Sequence, residues 1–135
     1  MPPHLFPVRI YYEDTDFSGV VYHASYLRFL ERGRTEFLRD VGIHQHAAHA
    51  GAGFGFAVRA MEIEFRKPAR MDDLVSVETV LAKLGGASAV MLQRVLRGAE
   101  VLVAARVKVA GVAGGKAARL TGEMRERLAG AVAHR

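Results

Sequence analysis

The sequence has no cysteine among its 135 residues. It therefore has no disulfide, no thiolate metal ligand and no cysteine nucleophile, as is common in a reducing compartment. It also lacks an apolar run long enough to span a bilayer, and its opening, MPPHLFPVRIYYEDTD, does not follow the pattern of a signal peptide. We therefore expect one cytoplasmic domain, residues 1–135, without stable membrane insertion.

Positive charge exceeds negative charge by five at pH 7, and the sequence pI is about 10.0. Such a balance favours anionic partners: nucleic acid, a membrane surface or a phosphorylated small molecule. Outside RKPAR, residues 66–70, the basic residues are spread singly, and aromatic residues do not interleave with them as in single-strand-binding sites. We therefore predict no nucleic-acid partner, while a solvated basic surface and a phosphorylated ligand both stay open.

The hydrophobic residues show two periodicities along the chain, one typical of a helix and one typical of strands. After a short β-type run, VRIYY (residues 8–12), residues 26–41 show helical spacing and end at Gly42. The apolar face of this helix consists of Tyr26, Leu27, Leu30, Phe37, Leu38 and Val41. Runs typical of strands follow at residues 61–66, 74–81, 88–96 and 101–112, with turns at Gly85-Gly86 and Gly98-Ala99-Glu100. This order predicts an α+β architecture, one long helix against an antiparallel sheet.

Gly33 lies inside the predicted helix, where glycine costs about 1 kcal/mol relative to alanine. A close contact between helix and sheet would explain its presence there. One helix covers only one face of such a sheet, so the other face or an edge is free for another subunit.

The stretch HQHAAHAGAGFG, residues 44–55, is predicted to be a loop. Its histidines, His44, His46 and His49, do not predict a metal site, because a loop rich in glycine and alanine provides neither fixed geometry nor supporting groups. The tail after Gly111 is predicted to be flexible up to a short helix over residues 121–132, with Thr121 as its N-cap.

The candidate site lies in YYEDTDFSGVVYHASY, residues 11–26, which joins the first strand to the helix. Three acidic residues, Glu13, Asp14 and Asp16, precede a glycine and a histidine. A helix start presents unpaired N–H groups that suit a developing oxyanion, and a carboxylate beside it can attack a carbonyl or activate water. The segment thus suggests hydrolysis of an ester or thioester. The alternative interpretation is that Asp14 and Asp16 are turn or capping residues.

The segment YYEDTDFSGVVYHASYLRFLERGRTEFL resembles the opening motif of the 4-hydroxybenzoyl-CoA thioesterase family. It is most similar to the branch of small acyl-CoA thioesterases associated with the Tol-Pal system. FAVRAMEIEFRKPARMDDLVSVETVL resembles the central strands of the same family, so the similarity extends over most of residues 8–110. The resemblance implies the hotdog fold, an antiparallel sheet of about five strands wrapped around one long helix.

The same resemblance implies an acyl-CoA substrate and neither a metal nor an organic cofactor. Members pair their sheets edge to edge into homodimers that assemble into homotetramers, with active sites at the subunit interface. Asp16 matches the essential carboxylate, which acts as nucleophile or as base for water. His23 matches the position whose backbone N–H polarises the thioester carbonyl, and in the closest branch its side chain is also implicated. Tyr12 matches a tyrosine that orients the carboxylate.

Substrate contacts follow from the resemblance as well. Gly19 and Val20 shape the turn beside the acyl group, and Glu31 lines the acyl pocket of a facing subunit. The CoA phosphates would favour a basic rim, for which Arg66, Lys67 and Arg70 are the candidates; the alternative is an exposed strand end with solvated charges. The hydroxybenzoyl-specific members carry a denser basic turn between the middle strands, where this sequence has only Lys83.

Two alternatives remain beside an acyl-CoA thioesterase. One is a hotdog hydratase or dehydratase, although its histidine motifs are not evident here. The other is a non-catalytic module that binds acyl-CoA. The sequence leaves open the length of the acyl chain, coenzyme A against acyl carrier protein, and dimer against tetramer.

Overall fold

The computed structural model describes residues 2–133, without the side chains of Ala47, His49 and Ala52. The strands in this part of the chain are β1 (His4–Arg9), β2 (Phe54–Phe65), β3 (Leu74–Leu84), β4 (Ser88–Arg97), β5 (Glu100–Ala113) and β6 (Lys116–Ala117). The helices are α1 (His23–Asp40), α2 (Gln45–Ala52) and α3 (Gly122–Ala129), and a short 3-10 helix spans Tyr12–Asp14. None of these helices is long and apolar enough to cross a membrane.

The six strands form one antiparallel sheet in the order β1-β3-β4-β5-β2, with β6 paired to β5. Helix α1 packs on the inner face of this sheet and contacts β1 and β3. The buried positions of β3 alternate along the strand and are Val75, Val77, Thr79 and Leu81, as the sequence predicts. The predicted arrangement of one long helix against an antiparallel sheet is therefore confirmed.

Helix α1 begins at His23, three residues before its predicted start. Its buried residues recur at positions 25–26, 29–30, 33–34 and 37–38, which is one stripe along the helix. Leu27 is 43% exposed, so its predicted place on the buried face is wrong, whereas Phe29, which the prediction omitted, is 1% exposed. Each residue advances about 100° around a helix, so Leu27 falls beside the stripe on which Tyr26 lies.

The start of the chain differs from the prediction in where its first strand ends. Strand β1 ends at Arg9, and Tyr12, predicted as the last residue of this strand, lies in the 3-10 helix. Asp14 closes this turn, because its Oδ2 accepts a hydrogen bond from the backbone N–H of Tyr11 at 2.9 Å. The chain thus leaves the sheet before the candidate site begins.

The segment predicted as a histidine-rich loop contains helix α2, so that prediction is wrong. The segment is rich in alanine, which has the highest helix propensity of all residues. His44 and His46 are exposed, and the side chain of His49 lies outside the described residues.

Strand β2 starts at Phe54, well before the predicted start at Met61. It pairs with β5 from Phe54↔Ala113 to Phe65↔Val103. This cross-strand ladder extends the strand over residues whose sequence does not alternate.

Directly after Gly111 the chain forms strands, where the sequence predicts a flexible tail. Strand β5 continues to Ala113, and β6 pairs with it. The predicted N-cap of α3 is confirmed, because Thr121 Oγ1 accepts a hydrogen bond from the backbone N–H of Met124 at 3.2 Å. The helix ends at Ala129, three residues before the predicted end.

Gly33 lies at a close contact between α1 and the sheet. A Cβ atom at this position would lie 2.5 Å from Val77 Cγ1 and 3.3 Å from Gln93 Nε2. The expected close contact between helix and sheet is therefore confirmed. It places Gln93 directly under the helix, where its amide donates hydrogen bonds to the Leu30 carbonyl at 3.0 Å and to Thr79 Oγ1 at 2.9 Å.

Replacing Gly33 with alanine should lower the free energy of unfolding by about 1–2 kcal/mol, because overpacking against Val77 outweighs the better helix propensity of alanine. Urea denaturation measures the change. The matched control is Gly122→Ala in the first turn of α3, where a Cβ atom would meet no other atom within 4 Å. We expect this control to be neutral or slightly stabilising, and a stabilised Gly33→Ala variant would contradict the contact.

Candidate active site

A cleft of about 310 Å³ lies where the N-terminus of α1 meets the turn before it and the segment after β2. Its lining consists of Asp16, Val20, Val21, His23, Tyr26, Phe65, Arg66, Lys67 and Pro68. Five of the residues predicted from sequence line this one cleft, namely Asp16, Val20, His23, Arg66 and Lys67. They come from two segments that are more than forty residues apart in the chain.

One oxygen of the Asp16 carboxylate accepts hydrogen bonds, whereas the other has no partner among the described residues. Oδ1 accepts hydrogen bonds from the backbone N–H of Ser18 at 2.9 Å and from its hydroxyl at 2.8 Å. Within residues 2–133, Oδ2 has no hydrogen-bond partner. The turn itself is closed by two backbone bonds, from Asp16 N–H to the Val20 carbonyl and from Gly19 N–H to the Asp16 carbonyl. Gly19 adopts a φ of +82°, which glycine reaches without strain.

The N-terminus of α1, whose first residue is His23, lies at the same cleft and has no side-chain cap. Its N-cap residue, Tyr22, makes no capping hydrogen bond through its side chain, and the first turn has no acidic residue. Among the described residues, no backbone oxygen accepts from the N–H groups of His23 and Ala24. These donors and the helix dipole together form a site that attracts a partly negative oxygen. The His23 ring packs between Tyr22 and Phe65, at centroid distances of 4.5 and 6.0 Å.

Asp14 has a structural role, and it is buried whereas Asp16 is exposed. Its side chain is buried, and its backbone carbonyl accepts hydrogen bonds from Tyr22 N–H at 2.9 Å and from Ser25 Oγ at 3.1 Å. It thereby ties the turn to the start of α1. The alternative interpretation of the acidic cluster, as turn and capping residues, is correct for Asp14.

Four lining residues, Val21, Tyr26, Phe65 and Pro68, were not predicted as site residues. The hydroxyl of Tyr26 accepts a hydrogen bond from the backbone N–H of Ala69 at 3.0 Å, and burial raises its pKa. Val21 N–H donates to the Ala69 carbonyl at 2.8 Å. These contacts hold the segment after Pro68 against the cleft. Pro68-Ala69-Arg70 and Tyr26 can both be read from the sequence. The hydrogen bond between Ala69 and Tyr26 is a tertiary contact, which the sequence does not reveal.

The two basic residues that line the cleft are already ion-paired. Arg66 Nε lies 2.7 Å from Glu64 Oε1, and Lys67 Nζ lies 2.9 Å from Glu100 Oε2. Their positive charge is therefore partly neutralised in the absence of an anionic ligand.

Arg97 connects this wall of the cleft to the next turn. Its guanidinium bonds Glu100 at 2.7 Å and Asp73 at 2.8 Å, and it donates to the Pro68 carbonyl at 3.3 Å. Hydrogen bonds from Lys67 and then Arg97 lower the pKa of Glu100. The backbone N–H of Arg70 and then Arg97 lower the pKa of Asp73.

Four other predicted site residues do not line the cleft, namely Tyr12, Gly19, Glu31 and Arg70, of which Gly19 lies in the turn between Asp16 and Val20. Tyr12 is 81% exposed, and its backbone carbonyl accepts from Thr15 N–H. Arg70 forms a backbone bridge with Val20, but its side chain does not line the cleft. Glu31 lines a second cavity further along α1. Their roles toward substrate stay predictions, as do those of the residues within the cleft.

Metal-ligating side chains are not grouped in the described part of the chain. Within residues 2–133, leaving aside the side chain of His49, no three His, Asp or Glu side chains are arranged to hold a metal ion.

The chain belongs to the Thioesterase-like superfamily, whose family model matches residues 11–131. It is 46% identical over 111 residues to the acyl-CoA thioesterase YbgC of Haemophilus influenzae, covering 82% of each chain. It is also 46% identical over 97 residues to the acyl-CoA thioester hydrolase YbgC of Escherichia coli, covering 72% of each chain.

Solved structures agree with this assignment. A probable thioesterase from Bartonella henselae is 46% identical and superimposes with a TM-score of 0.86, covering 89% of this chain and all of that one. The hotdog thioesterase fold predicted from the sequence is therefore confirmed.

Replacing Arg97 with glutamine should raise the pKa values of Asp73 and Glu100 toward their ordinary values. Because both pKa values are lowered in the folded protein, these carboxylates stabilise it at neutral pH, and this stabilisation is lost as the pH falls below about 5. The wild type should therefore lose stability on acidification more steeply than the variant. Carboxyl-detected NMR titration and urea denaturation at stepped pH values measure both effects.

The control for this experiment is Lys67→Gln. It removes a hydrogen bond from Glu100 but none from Asp73. It should thus shift the pKa of Glu100 alone. Unchanged titration of both carboxylates in Arg97→Gln would show that the ion pairs are not formed in solution.

Proposed function

We propose that this chain is an acyl-CoA thioesterase that hydrolyses an acyl-CoA thioester to a free acid and coenzyme A. The observation that carries the proposal is that Asp16 and His23, the first residue of the uncapped helix α1, line the same cleft. The names of the similar proteins from Haemophilus influenzae and Escherichia coli support it. We also assign the chain to the Tol-Pal-associated branch of the 4-hydroxybenzoyl-CoA thioesterase family.

Asp16 supplies the carboxylate for the reaction along one of two routes. As a nucleophile, Oδ2 bonds to the thioester carbon, the thiolate of coenzyme A leaves, and water then cleaves the mixed anhydride. As a general base, Oδ2 takes a proton from water, whose oxygen attacks the same carbon. Only the first route can carry oxygen from labelled water into the side chain of Asp16, and it does so when water attacks the carboxyl carbon of Asp16. The bonds from Ser18 leave Oδ2 free for either route.

The thioester carbonyl is polarised by the helix N-terminus. Its oxygen becomes negative in the tetrahedral intermediate, and the N–H of His23, which has no backbone acceptor among the described residues, would donate to it. Fixed donors of this kind are effective because they need no reorganisation during the reaction. The side chain of His23 shapes the wall together with Phe65.

The remaining predicted residues contact the substrate or orient the catalytic carboxylate. Gly19 and Val20 shape the turn beside the acyl group, and Tyr12 helps to orient the carboxylate. Arg66, Lys67 and Arg70 form the rim for the phosphates of coenzyme A. Arg66 and Lys67 must exchange a glutamate partner for phosphate when the substrate binds.

The active unit is proposed to be a cytoplasmic homodimer that assembles into a homotetramer. Two observations support pairing of subunits near the cleft. Strand β2 lies at an edge of the sheet, and such an edge offers backbone groups to a second strand. Large apolar side chains are exposed around the site, among them Tyr12, Phe17, Tyr22 and Phe65. In this assembly Glu31 of each chain would line the acyl pocket of the other.

Replacing Asp16 with asparagine should abolish turnover while leaving the fold and substrate binding intact. The asparagine keeps the hydrogen bonds from Ser18 but offers neither a nucleophilic oxygen nor a base. Release of the coenzyme A thiol from short, long and aromatic acyl-CoAs, followed with a thiol-reactive dye, measures the effect. The protein contains no cysteine and adds no background.

The matched control is Asp72→Asn. Asp72 is exposed, does not line the cleft and has a φ of 70°, which asparagine tolerates. It should keep wild-type turnover. If the wild type releases no thiol from any acyl-CoA or acyl carrier protein thioester, the chain is a non-catalytic binding module. If it instead adds water to an enoyl thioester, it is a hydratase.

Two substitutions at residue 23 distinguish the role of its backbone N–H from that of its side chain. His23 is the first helical residue, where proline is tolerated, and Tyr22 has the ψ of 133° that suits a residue before proline. His23→Pro removes the N–H and should lower kcat by about 10²–10³-fold, the usual effect of losing one oxyanion donor. His23→Ala keeps the N–H and should lose less. Equal losses in both variants would assign the role to the imidazole.

A further inference from the structure

Tyr26 lines the Asp16 cleft together with His23, and its side chain is a polar group that neither route of the proposed reaction uses. It lies three residues after the start of α1 and is 3% exposed. Residues three apart on a helix share a face, and helical side chains lean toward the N-terminus. The tyrosine side chain therefore extends from α1 back toward the first turn of the helix, where the N–H of His23 lies.

Two hydrogen bonds of Ala69 show where the Tyr26 hydroxyl lies. The backbone N–H of Ala69 donates to the hydroxyl oxygen at 3.0 Å, and the carbonyl of the same residue accepts from Val21 N–H at 2.8 Å. Pro68, the neighbour of Ala69 in the chain, lines the cleft, as Val21 and Tyr26 do. The hydroxyl is thus close to the segment that precedes α1, on the side of the helix where its unpaired N–H groups are.

The Tyr26 hydroxyl uses its oxygen but not its proton in the part of the chain that the structure describes. It accepts the hydrogen bond from Ala69, and no oxygen among the described residues accepts a hydrogen bond from it. A phenol can donate and accept at the same time, and a buried tyrosine hydroxyl usually finds its partners. The O–H donor of Tyr26 is therefore available to a ligand in the cleft.

The hydroxyl keeps its proton at neutral pH, because burial raises the pKa of Tyr26 above its ordinary value. The Ala69 N–H and the charge of Arg97 lower this pKa, and the charge of Asp73 raises it further. The titratable groups that line the cleft beside the phenol are Asp16, His23, Arg66 and Lys67. Tyr26 is thus a neutral donor in a cleft that also contains a carboxylate.

We propose that the Tyr26 hydroxyl donates a hydrogen bond to the thioester carbonyl oxygen of bound acyl-CoA, beside the backbone N–H of His23. This inference rests on the proposed function, which supplies the acyl-CoA. Sites that stabilise a developing oxyanion combine backbone N–H groups with side-chain donors, tyrosine among them. The carbonyl oxygen is a better acceptor than the sulfur of the leaving group, because thiol and thioether sulfurs accept hydrogen bonds only weakly. Tyr26 is then a catalytic residue whose hydrogen bond strengthens as the oxygen becomes negative.

Tyr26→Phe removes the donor and should lower kcat by about 10²-fold, the usual effect of losing one oxyanion donor. KM should change little, because the hydrogen bond is strongest in the transition state. Thiol release from the panel of acyl-CoAs measures both constants, and urea denaturation checks the fold. The matched control is Tyr11→Phe, which should keep wild-type turnover, because Tyr11 is exposed and does not line the cleft.

A fluorinated tyrosine at position 26 distinguishes donation to the substrate from support of Ala69. Difluorotyrosine with both fluorines next to the hydroxyl keeps the oxygen that Ala69 N–H contacts, but it is a more acidic phenol than tyrosine. It loses its proton at a lower pH, so kcat should fall at a lower alkaline pH than in the wild type. If Tyr26 only held Ala69, a phenolate would accept that bond at least as well, and the alkaline limb of the pH profile would not move.

Infrared spectroscopy of a bound thioester tests the hydrogen bond without turnover. The probe is an acyl-CoA from the same panel, labelled with carbon-13 at its carbonyl and bound to Asp16→Asn. A hydrogen bond to the carbonyl oxygen lowers its stretching frequency. The double variant Asp16→Asn/Tyr26→Phe should therefore show a higher frequency than Asp16→Asn alone.

The outcomes separate this inference from the proposed function. Equal frequencies in the two variants, with turnover by the wild type, would overturn the role of Tyr26 and leave the thioesterase intact. A frequency difference without turnover by the wild type would overturn the thioesterase and keep Tyr26 as a donor to bound acyl-CoA. If no acyl-CoA binds, both are wrong.

Discussion

Helix α1 can lie as close to the sheet as it does only because residue 33 has no side chain. At this point Val77 and Gln93 occupy the space that a Cβ atom would need. The same closeness lets the Gln93 amide reach the Leu30 carbonyl. Glycine costs about 1 kcal/mol in a helix, which this contact has to offset. Because the helix is rigid, its position at residue 33 also sets where its N-terminus lies, about 15 Å away.

The candidate active site depends on that position and on a second set of contacts at the other side of the cleft. The backbone of Ala69 bonds both Val21 and Tyr26, so the segment after β2 is held against the start of α1. Arg97 also holds this segment, because it donates to the Pro68 carbonyl and bonds the carboxylates of Asp73 and Glu100. These contacts fix both sides of the cleft, and the Asp16 turn between them is exposed, as the proposed role of Asp16 requires.

Local patterns account for what could be predicted. The alternation in β3, the N-cap at Thr121 and the glycine inside α1 each reflect a rule that operates over a few residues, and each prediction is confirmed. The errors share a different cause. Leu27 was assigned to the wrong face because a broad apolar arc does not reveal which stripe packs. Strand β2 was predicted too short because its first half is stabilised by pairing with β5, which leaves no period in the sequence.

The sequence by itself determined the class of fold, the family resemblance and the segment that carries Asp16 and His23, because periodicity and short motifs are properties of neighbouring residues. Only the tertiary structure decided that Asp14 is buried while Asp16 is exposed. In the sequence both are acidic residues, two positions apart, and nothing distinguishes them. The tertiary structure also decided that Lys67 faces Glu100, and that Arg34 lies buried beside a cavity. These are contacts between distant segments, and their formation depends on how the helix packs on the sheet.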